Sequence, residues 1–166
     1  MRTLASLLPS LLLCTALGGA PAQAGVLDYI NGVSLGESLP AHAMRFLDQA
    51  PPAQPRLTLI DFWASWCAAC IGSIPKLNGW QQKFGADGLA LIGATQDQGE
   101  ALTRFLSKFP MAYPVGVEGQ PALHELLRIR AMPHAILVDH AGIIVWRGQP
   151  DQLSDALLAH YLQQQP

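Results

Sequence analysis

A change of hydrophobic period around residue 65 narrows the fold more than any other feature of the chain. Leu57-Thr58-Leu59-Ile60-Asp61-Phe62-Trp63 is a short, mostly apolar run, set off by the breaker-rich Ala50-Pro51-Pro52-Ala53-Gln54-Pro55. It reads as a buried strand. From Cys67 to about Phe84 the apolar positions Ile71, Ile74, Leu77, Trp80 and Phe84 recur at steps of three and four, the spacing of a helix with one inward face. Pro75 falls inside that helix and is expected to kink it. Leu89 to Ala94 reads as a second buried strand, and Glu100 to Phe109 as a second helix ended by Pro110. Tyr113 to Val117 is a short extended segment and Pro121 to Leu127 a short helix. Ala135 to Asp139 and Ile143 to Arg147 are strands joined in a hairpin through His140-Ala141-Gly142, and Asp151 to Gln163 is a final amphipathic helix. An additional helix is predicted over Leu39 to Leu47. The order describes one α/β domain.

With 166 residues, half of them apolar and 13% charged, the chain has room for one domain and a short appendage, and its composition excludes intrinsic disorder. A formal net charge of −2 without a run of either sign argues against a nucleic-acid surface or a polybasic membrane patch. The appendage is the amino end. Arg2 precedes an apolar stretch from Leu4 to Leu17, Gly18, Gly19 and Pro21 break it, and Ala22-Gln23-Ala24 presents small residues where a signal peptidase reads. This order predicts a secretory signal over residues 1–24, cleaved after Ala24. The uncharged span from Thr3 to Leu27 also suits a retained anchor by length, but its second half is too polar for hydrocarbon. Cys14 would leave with the signal; Leu13 before it argues against a lipid-anchored cysteine. The mature chain, Gly25 to Pro166, would then work in an oxidising compartment, with residues 25–56 leading into a domain over residues 57–166.

Cleavage leaves only Cys67 and Cys70, spaced Cys-Ala-Ala-Cys. A structural disulfide stabilises by closing a long loop, and a bridge across two residues closes very little. Such a pair is suited to opening and closing. Cys67 follows a strand and opens a helix, where free backbone N–H groups and the helix dipole favour a thiolate, the attacking species in disulfide exchange. Cys70, one turn on, is placed to resolve a mixed disulfide. Asp61, six residues before Cys67 in an otherwise apolar strand, should resist ionisation and could exchange a proton with Cys70. The alternative is a carboxylate at the strand's end, in water.

At this point the segment Asp61-Phe62-Trp63-Ala64-Ser65-Trp66-Cys67-Ala68-Ala69-Cys70, with Pro75 five residues later, closely resembles the active-site segment of the thioredoxin superfamily. Ala131-Met132-Pro133-His134-Ala135-Ile136-Leu137-Val138-Asp139, followed by Ala141-Gly142 and Trp146-Arg147-Gly148, resembles its cis-proline loop and hairpin. The likeness covers roughly Leu57 to Leu162. With the export signal and the lead-in, it is most similar to the TlpA/ResA/DsbE-type branch of exported bacterial oxidoreductases. The resemblance implies a thioredoxin-like α/β fold, with a central mixed sheet flanked by helices. It implies that Cys67 attacks, Cys70 resolves and Asp61 is the buried carboxylate behind them. Pro133 would be cis, setting the Met132 backbone beside the Cys67 sulfur to pair with a substrate, and Trp66 would form the rim. No cofactor is implied. The implied partners are protein disulfides, cytochrome c apoprotein among them, and a membrane thiol donor of the DsbD or CcdA type, in the periplasm. No sustained apolar stripe argues against a monomer.

Ala68-Ala69 departs from the Gly-Pro of thioredoxins and the Pro-His of strong oxidants, so neither a proline nor a histidine tunes the thiolate. A potential between about −270 and about −180 mV follows, on the reducing side. His134, where threonine is more usual, could face the site and stabilise the thiolate or point into solvent, and the second is expected. Two other functions stay open on the residues alone. The same site run backwards is a disulfide-forming oxidase. Cys67, Cys70 and His134, with Met132 nearby, could instead form the copper site of a chaperone on this fold, though such proteins space their cysteines by three residues. A binding domain with an incidental bridge is a third reading. Trp63 and Trp80 read as core. His42, His124, His140 and His160 show no metal spacing, and Asp97, Gln98 and Glu100 read as a helix start.

Overall fold

The structure, a computed structural model, describes residues 35–166. The predicted signal over residues 1–24, Cys14 and the start of the lead-in lie outside these residues. The elements in chain order are β1 (Met44–Phe46), β2 (Leu57–Phe62), α1 (Ala68–Phe84), β3 (Leu89–Thr95), α2 (Gly99–Lys108), β4 (Val115–Glu118), α3 (Leu123–Leu126), β5 (His134–Asp139), β6 (Ile144–Gly148), a 3-10 turn (Pro150–Gln152) and α4 (Asp155–Gln163).

The strands of this region form a mixed six-stranded sheet in the order β1-β4-β3-β2-β5-β6. β2, β3 and β4 run parallel, while β1, β5 and β6 join antiparallel. Every residue of β3 is buried, as a central parallel strand covered on both faces requires. Alternation along β2 divides the core. Leu57 and Leu59 pack with Leu77, Trp80 and Phe84 of α1 and Leu158 and Leu162 of α4. Ile60 and Phe62 point to the other face and pack with Ile136, Val138, Leu123 and Leu127. This is the thioredoxin-like fold, with its central strand feeding the helix that follows.

Two local expectations are corrected. Residues 39–47 form no helix. Met44–Phe46 is instead a strand on the edge of β4, with the Leu47 N–H donating to the Val115 carbonyl at 3.0 Å. The predicted terminal helix is divided. Lys76 Nζ donates to the carbonyls of Pro150 (2.9 Å) and Leu153 (2.8 Å), which a continuous helix would have used itself. The Ser154 hydroxyl then caps a new start by accepting the Leu157 N–H at 3.2 Å. α1 runs from Ala68 to Phe84 with Pro75 inside it, as its apolar spacing predicts. The Trp80 indole N–H donates to Asp155 Oδ1 at 2.7 Å and fastens α1 to α4. The hairpin turn is shaped by Asp139 Oδ1, which accepts the N–H groups of Ala141 and Ile143 at 2.9 and 2.8 Å. No helix among the described residues is long and apolar enough to cross a membrane.

Candidate active site

The site lies where β2 gives way to α1. Trp63 N–H donates to the Ala94 carbonyl at 3.1 Å, carrying the β2–β3 pairing one residue further, and Cys67 N–H closes the following turn on the Ala64 carbonyl at 3.0 Å. Cys67 is the N-cap of α1, with an extended backbone (φ −87°, ψ 95°). Its Sγ accepts the N–H of Cys70 at 3.2 Å. A disulfide joins the two residues, whose Cα atoms stand 5.2 Å apart. One of the first-turn amides of the helix therefore already points at the Cys67 sulfur. No acidic residue occupies that turn, so both the amide and the helix dipole favour negative charge on Cys67 once the bridge is reduced.

Both cysteines are buried, Cys67 at 6% exposure and Cys70 at 2%. They belong to an apolar cluster with Trp63, Ile74, Phe105 and Val115, against which Met132 packs. The Met132–Pro133 peptide is cis. Trp66, immediately before Cys67, is 77% exposed. An indole that open beside a reactive bridge is apolar surface free to meet another chain.

Asp61 sits deeper. By the alternation of β2 it shares the face of Leu57 and Leu59, which carries α1. It is 1% exposed, and burial pushes its carboxyl up to about 7. The alternative of a strand-end carboxylate in water is thereby excluded.

His134 follows neither of the two roles considered for it. It pairs in register with Phe62 across β2 and β5, and directly opposed residues share a face. Phe62 belongs to the cluster around α3, so His134 lies on the side of the sheet away from Asp61. Instead of pointing into solvent, it is half-buried, with Nε2 facing Arg147 Nη2 at 3.3 Å. Burial and the guanidinium charge push its pKa down to about 4. The imidazole is neutral at neutral pH and accepts from Arg147. A copper site of Cys67, Cys70 and His134 is therefore not assembled, and among the described residues no three His, Cys, Asp or Glu side chains converge as a metal ion requires. His124 is also more than a surface residue: its Nδ1 lies 2.7 Å from the buried Glu118 carboxylate.

Of the residues expected at a helix start, Gln98 and Glu100 open α2, whereas the Asp97 side chain turns to the active-site loop. Its carboxylate accepts the Ser65 N–H at 2.6 Å, and the cap position of α2, Gln98, has no side-chain cap bond. The usable signal is topological. β2 and β3 are parallel neighbours, so a polar residue just past the end of one reaches the loop leaving the other.

A disulfide held at the head of the first helix, on this sheet, defines a thioredoxin-fold thiol–disulfide oxidoreductase. The model of the AhpC/TSA family matches residues 47–147, and the chain belongs to that family. It is similar to the thiol:disulfide interchange protein HelX of Rhodobacter capsulatus, 30% identical over 135 residues and covering 80% of this chain and 68% of that one. The thiol-disulfide oxidoreductase ResA of Bacillus cereus is 23% identical over 152 residues, covering 89% and 87%. Solved structures with the same fold include the thioredoxin domain of a thiol-disulfide oxidoreductase from Bacteroides vulgatus (TM-score 0.64, 20% identity, 80% of this chain and 98% of that one). StoA from Bacillus subtilis is another (TM-score 0.59, 18% identity, 75% and 98%).

Proposed function

We propose that the protein is an exported reductase of protein disulfides, acting in the periplasm after loss of residues 1–24. The observation that carries the chemistry is the Cys67–Cys70 bridge at the helix start, with the Cys70 N–H aimed at the Cys67 sulfur. In the reduced protein the Cys67 thiolate attacks a substrate disulfide, forming a Cys67–substrate disulfide and releasing one substrate thiolate. Cys70 loses its proton to Asp61 and attacks the Cys67 sulfur, which restores the Cys67–Cys70 bridge and releases the second substrate thiolate. Two electrons pass from the dithiol to the substrate, whose thiolates take up two protons. Exposed Trp66 and the cis-proline segment Met132–Pro133 supply the docking edge for the extended substrate chain.

Reduction in an oxidising compartment needs a donor, and a membrane thiol transporter of the DsbD or CcdA type supplies it in this reading. Cytochrome c apoprotein is the client class the resemblance implies. The reading takes the protein to act as a monomer and without a cofactor.

The test is a trap. With Cys70→Ser, reduced protein mixed with a disulfide-containing client accumulates a Cys67-linked mixed disulfide that survives non-reducing electrophoresis, close to one equivalent per chain. Cys67→Ser yields none. Accumulation through residue 70 in the Cys67 variant would reverse the assigned roles.

A further inference from the structure

Residues 128–133 lead from α3 to β5 and end on the docking edge at Met132–Pro133. Their backbone is fixed at both ends. The Arg128 N–H donates to the Glu125 carbonyl at 3.0 Å and the Ile129 N–H to the His124 carbonyl at 2.8 Å, which closes the end of α3. At the other end His134 pairs with Phe62 at the head of β5. Arg147 Nη2 reaches both His134 Nε2 (3.3 Å) and the Leu127 carbonyl (3.5 Å). Between these ends Ile129 is buried among the residues around α3, while Arg128 and Arg130 on either side of it are exposed. The two arginines therefore share the outward side of the loop. Neither enters an ion pair or a side-chain hydrogen bond among the described residues. Arg128 also holds a positive φ of 52°, a conformation in which glycine is at ease and arginine is not. What arginine adds there over glycine is its guanidinium.

We infer that Arg128 and Arg130 select clients that carry carboxylates beside the disulfide, by pairing with aspartate or glutamate side chains of the segment docked on Met132–Pro133. The reach suits it. Arg130 stands two residues before Met132, so at most about 7 Å of backbone separates them, and Arg128 is at most about 14 Å away. A client strand that continues along this edge towards α3 passes both. Guanidinium groups that the protein leaves without a carboxylate are open to a client's, and arginine takes a carboxylate through two parallel N–H bonds. Met132 packs against the cluster that holds Cys67 and Cys70, so charge placed two and four residues before it sits at the margin of the reacting bridge. Pairs at such a rim act through the rate of encounter and are screened by salt. The inference rests on the reductase reading and adds the substrate class: acidic segments are taken in preference to basic ones.

Two synthetic peptides, identical except that glutamate or lysine flanks their internal disulfide, are reduced by the dithiol protein in single turnover. Rates are taken relative to uncharged hydroxyethyl disulfide, which reports the dithiol alone. The glutamate peptide should react about tenfold faster than the lysine peptide at low salt, and the ratio should fall towards one as salt rises. In Arg128→Glu/Arg130→Glu the order should invert. Both positions are exposed, and the thermal midpoint checks that the variant is folded. Equal rates for the two peptides, or a preference that the variant keeps, would overturn the inference. Failure of the reductase reading looks different, since no disulfide, hydroxyethyl disulfide included, would then be reduced. The selection is therefore also read without exchange, as binding of the two peptides, with serine in place of cysteine, to the oxidised protein. Tighter binding of the glutamate peptide by the parent and of the lysine peptide by the variant supports it, and equal binding overturns it.

Discussion

Replacing Cys67 with serine should remove disulfide exchange altogether, a loss on the order of 10³-fold or more against a protein disulfide, because a step made by one nucleophile has no substitute. The fold should survive. Cys67 contributes little core volume, and the bridge it makes spans only three positions of sequence. The N-cap role also passes to serine without loss, since a serine hydroxyl accepts helix N–H groups as well as sulfur does. The variant should therefore keep its circular dichroism spectrum and cooperative melt while exchange, followed as client thiols released with time, falls to the uncatalysed rate. Residual exchange within about tenfold of the parent would mean that Cys70 attacks directly and that the order of the two cysteines is wrong.

Asp61→Asn should stabilise the protein relative to the parent by an amount that grows from about pH 4 to about pH 7 and stays constant above it. Burial pushes the folded carboxyl up to about 7, from an ordinary 3.8. Between these values the folded state holds a proton that the unfolded chain has lost, so stability contributed by the neutral acid is complete below about 4 and is lost as pH rises through 7. At 1.36 kcal/mol per unit the whole shift corresponds to about 4 kcal/mol. His134 acts in the opposite sense. With its folded pKa lowered to about 4, its contribution is complete above 6.5 and is lost as pH falls towards 4. The two lie on opposite faces of the sheet, and the His134 effect cancels when variant and parent are compared at each pH. Urea denaturation from pH 4 to 8 should show the variant gaining on the parent up to pH 7 and levelling off. Parallel stability curves would show that Asp61 is not buried as the neutral acid. In turnover the same variant should lose on the order of 10²-fold in the Cys70 step, the usual worth of a positioned proton acceptor.

The strand–helix junction and the cysteine pair were legible because both are local. The mostly apolar run from Leu57 to Phe62, the helical period from Ile71 to Phe84 and a two-residue spacing all lie within thirty residues of chain. The burial of Asp61 was legible for the same reason, as a charge in an apolar strand. What surrounds Asp61 was not. Gly93 and Ala135 flank it only through the register of β3 and β5 on β2. The side taken by His134 depends on its register with Phe62, which residue types do not reveal. The strand at Met44–Phe46 was misread as a helix because a three-residue edge strand owes its form to its partner rather than to its own pattern. Ser154 and Lys76 show how side chains elsewhere decide where a helix begins.

The reduction potential of the Cys67–Cys70 couple bears most directly on the central claim. The protein is equilibrated in glutathione and then dithiothreitol buffers, and the reduced fraction is read by thiol alkylation. A dithiol whose thiolate is favoured by a helix start alone, with Ala68 and Ala69 between the cysteines, should poise between about −270 and about −180 mV. That places it as a reductase that a membrane donor must keep supplied. A value near −120 mV would contradict this and make the protein a disulfide-forming oxidant, and the absence of any reversible couple would remove the redox function itself.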